Sequence, residues 1–135
     1  MADIDDLFSA AAMARGKAYA PYSKFAVGAA ILSSDGEIHA GCNIENAAYP
    51  EGTCAEAGAI AHMIMSGTLQ ILEIAVVGGP KGAAEILCPP CGGCRQKLRE
   101  FGGLTAKVHL RDGSGAIRTL TVADLLPVSF GPECL

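Results

Sequence analysis

The sequence predicts an α/β fold: one domain over residues 1–135, built as three α/β/α layers around a mixed five-stranded sheet. Three observations carry that expectation. Strand and helix patterns follow one another as strand, strand, helix, strand, helix, strand, the order of a sheet with right-handed crossovers and helices on both faces. Ile71 to Gly79 is a nearly unbroken apolar, β-branched run, as a strand covered on both faces is, so it belongs at the sheet centre. Two further runs flank a short turn marked by Asp35-Gly36, and so short a turn pairs them antiparallel. There is no repeat, linker or low-complexity tract to divide the chain.

In chain order, Asp3 stands where it caps a first helix whose Ile4, Leu7, Phe8, Ala11 and Ala12 share a face. Asp5 and Asp6 in its first turn, with Arg15 and Lys17 in its last, suit the helix dipole. A turn at Pro21 leads to a strand from Phe25 to Ser33 and, past the hairpin, to a second from Glu37 to Cys42. Asn43-Ile44-Glu45-Asn46 reads as a polar loop closed by Pro50-Glu51-Gly52. Helix two spans about Cys54 to Ser66 and stops at Gly67. After the central strand, Gly82-Ala83-Ala84 is loop, and helix three opens near Cys91 and closes at Gly102-Gly103. Lys107 to Arg111 alternates as a half-exposed strand, Asp112-Gly113 turns, and Ala116 to Leu120 is a fifth strand. Thr121 caps a short last helix ending before Pro127.

Composition excludes several classes of function. A chain of this length buries roughly two thirds of its unfolded surface, so a metal is not required for folding. Charged residues make up 18% and the net charge is -4, which offers no basic footprint for nucleic acid or an anionic membrane. The acidic start Met1-Ala2-Asp3 lacks the features of a signal peptide and no stretch has the length of a membrane span, so a cytoplasmic chain is expected. The six cysteines could by arithmetic form three disulfides, but two-residue spacings in an intracellular chain favour metal.

Thr53-Cys54-Ala55-Glu56 and Pro90-Cys91-Gly92-Gly93-Cys94-Arg95-Gln96 concentrate the chemistry. A Cys-x-x-Cys pair supplies two thiolates from one turn, Cys54 a third, and Glu56 a free carboxylate. Three protein ligands leave tetrahedral zinc an open position for water, the mark of a catalytic site, and Glu56 is spaced to reach that water. Two other readings compete. Thr53-x-x-Glu56 is also a capping box. Cys88-Pro89-Pro90-Cys91 is itself Cys-x-x-Cys, which taken alone admits an iron-sulfur cluster or a redox dithiol. Neither of the last two gives Glu56 a task. The helix N-termini at the cysteines are expected to lower the thiol pKa values. Cys42 and Cys134 read as small hydrophobes, and His39, His62 and His109 have no partners at ligand spacing.

Cys-x-Glu followed by Pro-Cys-x-x-Cys resembles the signature of the zinc nucleoside and nucleobase deaminases. With Ala20-Pro21-Tyr22-Ser23-Lys24-Phe25-Ala26-Val27-Gly28-Ala29-Ala30 and Gly41-Cys42-Asn43-Ile44-Glu45-Asn46-Ala47, and an ending at Leu125-Leu126-Pro127, most of the chain is similar to the short, homotetrameric cytidine deaminases. The resemblance implies a cytidine deaminase-like fold and one Zn2+ per chain on Cys54, Cys91 and Cys94, because the family's Pro-Cys-Gly-x-Cys-Arg-Gln falls on the latter two and leaves Cys88 out. It implies that activated water attacks C4 of cytidine or deoxycytidine and ammonia leaves, in pyrimidine salvage. Glu56 would take the water proton, protonate N3 and pass a proton to the leaving amine. The Ala55 backbone would hold the base carbonyl, Asn43 and Glu45 the ribose hydroxyls, and Phe25 would line the base pocket. Phe130, in Ser129-Phe130-Gly131, would be lent across an interface of a homotetramer with shared sites. By themselves Asn43 and Glu45 read as a solvated turn, and Phe25 and Phe130 as packing.

One departure stands out: Ala57 occupies a position where the family often has arginine, so Arg95 and the helix ends are expected to balance the thiolate charge. Rival readings are another deaminase of the superfamily, acting on blasticidin S, guanine or tRNA adenosine, or a non-catalytic zinc module. Asn43-Ile44-Glu45-Asn46 favours a free nucleoside, and the acidic chain disfavours tRNA.

Overall fold

The computed structural model describes residues 2–135, which leaves Met1 outside. Its strands β1 (Phe25–Ser33), β2 (Ile38–Cys42), β3 (Ile71–Pro80), β4 (Lys107–Arg111) and β5 (Ile117–Thr121) form one sheet ordered β2-β1-β3-β4-β5. The apolar run expected at the centre is there, with β1 antiparallel on one side and β4 parallel on the other. The other two pairings, β1 with β2 and β4 with β5, are antiparallel. Parallel β3 and β4 need a long connection, and helix α3 (Gly92–Gly102 in the numbering of the chain's third α-helix) lies within it.

Helices α1 (Ile4–Arg15) and α2 (Ala55–Met65) cover opposite faces because strand side chains alternate. Leu7, Phe8 and Ala11 of α1 pack with Ala30, Leu32, Ala75 and Val77. Ala29, Ile31, Ile74, Val76 and Val108 point the other way, onto Ala59, Ile60 and Met63 of α2 and Leu98 of α3. These are the three layers the sequence predicts. The approach of α2 to β2 is closest at Gly41, where a Cβ would overlap Ala59 N and lie 2.6 Å from Ala55 O. Glycine there sets how near the start of α2 comes to the sheet.

Element ends differ from expectation where a polar side chain claims the backbone. β2 starts at Ile38 because Asp35 Oδ1 accepts from Glu37 N at 3.0 Å and keeps it in the turn. Thr121 closes β5 and also caps α4 (Val122–Leu125), accepting from Asp124 N at 3.2 Å, so β5 lies one residue later than expected. Arg15 does more than end α1: its guanidinium donates to Ala26 O, Pro80 O and Ala83 O, tying the helix to the sheet rim. His109 is buried between Glu73 Oε1 at 2.6 Å and Thr119 Oγ1 at 2.8 Å, a satisfied core group. Cys134 is exposed, which corrects its reading as a small hydrophobe. Among the described residues no helix is long and apolar enough to cross a membrane.

Candidate active site

Cys54 and Cys91 each occupy the N-cap of a helix, α2 and α3, and neither thiol caps it. Cys94 lies one turn into α3 and is buried. The two helix starts bring the three sulfurs within 4.8 Å of one another, with Cys54 Sγ and Cys91 Sγ 3.9 Å apart. Thiolates at about 2.3 Å from a tetrahedral zinc lie about 3.8 Å from each other, so the donor set and its spacing fit zinc. Cys88 is not in the cluster.

The thiols correct one electrostatic expectation. Burial raises Cys54 and Cys94 above the usual thiol range, and neighbouring acidic groups push Cys94 the same way. Burial also pushes Cys91 upward, but hydrogen bonds from the Cys94 backbone and from the Cys94 and Cys54 thiols leave it lowered. Desolvation leads at Cys54 and Cys94, and hydrogen bonds prevail at Cys91.

Glu56, in the first turn of α2, is only 4% exposed. The capping box is absent: Thr53 N donates to Ile44 O at 2.8 Å, and the N-cap is Cys54 with no side-chain cap. Burial raises the Glu56 carboxyl, opposed by hydrogen bonds from its own backbone and the Cys94 thiol and by the charge of Lys97.

Asn43 to Glu45 is not a solvated turn. Ile44 exchanges backbone hydrogen bonds with Thr53, while Tyr19 N donates to Asn43 O at 3.0 Å and Glu45 N to Tyr19 O at 2.8 Å. The Asn43 side chain accepts from Val27 N at 2.8 Å and donates to Phe25 O at 2.9 Å. Glu45 Oε1 accepts from Tyr22 N and Ser23 N, and Oε2 from the Ser23 hydroxyl. Both side chains are thereby fixed facing a cleft of about 370 Å3, whose walls also include Val27, Tyr49, Ala55, Glu56, Cys54, Cys91, Cys88 and Pro89. That is the size of a small-molecule site.

Two expected residues stand apart from this cleft. Phe25 is not among its lining residues: its ring edge and the Cys88 thiol both abut Gly78, where a Cβ would fall 3.3 Å from Phe25 Cε1 and 2.8 Å from Cys88 Sγ. Phe130 is 57% exposed and outside the lining. Arg95 is engaged by backbone carbonyls. Its Nε donates to Pro90 O at 2.8 Å and its Nη1 to Leu125 O at 2.9 Å, so no hydrogen bond from it reaches a sulfur. Val27 was within reach of sequence reasoning, since it is two residues beyond Phe25 on the same face of β1. Ser23, the support of Glu45, stands in a quoted motif without any local signal of that task.

A family model for the cytidine and deoxycytidylate deaminase zinc-binding region matches residues 1–110. A cytidine deaminase of Sporosarcina psychrophila is 43% identical over 133 residues, covering 98% of this chain and 95% of its own. One from Mycobacterium tuberculosis is 38% identical, covering 93% and 87%. The crystal structure of the Burkholderia pseudomallei cytidine deaminase superposes with a TM-score of 0.87 at 41% identity, over 96% of this chain and all of that one.

Proposed function

The chain belongs to the zinc-binding cytidine and deoxycytidylate deaminase family, and from that premise we propose that residues 1–135 form one deaminase domain whose cleft hydrolyses cytidine and deoxycytidine to the uridines. The observation that carries this reading is convergence. Cys54, Cys91 and the buried carboxyl of Glu56 line one cleft with the Cys94 thiol clustered behind them, and Asn43 and Glu45 line it too.

Cys54, Cys91 and Cys94 would hold zinc, which when bound would supply Lewis acidity for activating water near neutral pH. Glu56 takes the proton of the attacking water and delivers it to N3 as the bond to C4 forms. It then takes the proton of the new C4 hydroxyl and passes it to the amine, so that the C4–N bond breaks, the C4 carbonyl forms and ammonia leaves with no change in oxidation state. The Ala55 N–H holds the base carbonyl. Asn43 and Glu45 hold the ribose hydroxyls with the capacity their internal bonds leave free.

Phe25 shapes the base pocket from a ring edge that abuts Gly78, as the Cys88 thiol does. A homotetramer completes each cleft, with Phe130 of an adjoining copy against the base; the support is that this ring is exposed and outside the cleft of its own chain. Three zinc-binding thiolates must stay reduced, which suits the cytoplasm, and the reaction is one of pyrimidine salvage. Incubation with cytidine, followed by absorbance and by ammonia release, tests the reading. Conversion to uridine is expected. Turnover of blasticidin S or guanine without turnover of cytidine would assign the site to another member of the superfamily.

A further inference from the structure

Side chains of α3 pin the end of α4 and the segment that follows it. Arg95 Nη1 donates to Leu125 O at 2.9 Å, Gln96 Nε2 to Phe130 O at 2.9 Å, and Arg99 Nε to Ser129 Oγ at 2.6 Å. Arg99 Nη2 also pairs with Glu133 Oε1 at 2.6 Å, and the Arg99 side chain is only 10% exposed. The guanidinium lies over Gly131, where a Cβ would overlap it. Between the Leu125 and Ser129 anchors, Val128 has φ 49, a left-handed conformation that a β-branched residue adopts only when its surroundings impose it.

A chain end that merely packs buries its apolar side chains and leaves its polar backbone to water. Here the reverse holds: Val128, Phe130 and Leu135 are exposed, while the polar groups around them are held. The restraint fixes the backbone and points the ring outward. We propose that Arg99 and Gln96 are positioning residues, which hold Phe130 clear of its own chain so that the ring meets the base in an adjoining copy. This rests on the reading of Phe130 given above. It adds that α3, the helix bearing Cys91 and Cys94, also sets the aim of that ring.

The test is a double-mutant cycle on the zinc-loaded oligomer, with KM and kcat for cytidine and Tm read for Arg99→Ala, Phe130→Ala and the pair. Arg99→Ala is expected to raise KM about tenfold, within what losing a base–aromatic stack produces. In the Phe130→Ala background it should add nothing, because the ring it aims is gone. Gln96→Ala, an exposed change that removes only the bond to Phe130 O, should raise KM in the same non-additive way and serves if Arg99→Ala fails to fold. An equal KM penalty with and without Phe130, or a fall in Tm with KM unchanged, would overturn the positioning role. An unchanged KM in Phe130→Ala itself would instead overturn the reading of Phe130 and, with it, the proposal.

Discussion

At Glu56 one carboxylate has two possible tasks, bonding the backbone at a helix start or moving protons at C4. The structure removes the capping box, since Thr53 N is already bonded to Ile44 O and the N-cap residue is Cys54, and the one backbone group that bonds the Glu56 carboxyl is its own N–H. Glu56→Gln is therefore expected to keep one zinc per chain and lose at least ~100-fold in kcat, the usual contribution of a general acid-base. Metal analysis beside steady-state kinetics checks it, and near-normal turnover would contradict it. A companion comparison separates the cysteines: Cys91→Ala should lose zinc and Cys88→Ala keep it, because Cys88 lies outside the three-sulfur cluster. The zinc ligands were legible in the sequence because metal binding demands particular residue types at fixed spacing. Arg95 was not, because a guanidinium reaches many acceptors and sequence does not show that the nearest are the carbonyls of Pro90 and Leu125. Ser23 escaped for the same reason: its partner Glu45 is distant in sequence and meets it only through folding.

At the level of elements, the cleft depends on how closely α2 sits on β2. Gly41→Ala places a methyl against the backbone of Ala55 and Ala59 and should cost about 1–3 kcal/mol, as overpacking does, while shifting the helix start that carries Cys54 and Glu56. Gly58→Ala, inside α2, is the counterpart. Its Cβ would meet nothing nearer than 3.6 Å, so the gain in helix propensity should stabilise by about 0.5–1 kcal/mol. Thermal unfolding of the two variants reads both signs; a neutral Gly41→Ala would show that α2 can retreat freely. The order and type of elements were readable because burial imposes periods of two and 3.6 residues. Their ends were not, because Asp35 and Thr121 compete with the ladder for the same backbone groups, and a hydrophobic pattern carries no record of that competition.

Across the whole molecule, the core does not pass through the metal site. Phe8, Leu7, Ile31, Ile74, Val76 and Val108 are buried between the sheet and its helices, and the sulfurs lie at the cleft, where only Cys94 is buried. What the sequence left open at this scale is where the aromatic rings go, since a single phenylalanine carries no mark of whether it packs, lines or projects. Phe25 abuts Gly78 outside the cleft lining and Phe130 projects. The central claim is that the three-thiolate site is catalytic and not a fastening for the fold. Chelation of zinc, followed by circular dichroism and cytidine turnover on one sample, tests it most directly. The chain is expected to stay folded, to stop converting cytidine and to resume when zinc is restored; unfolding on chelation, or full turnover without zinc, would refute a catalytic site.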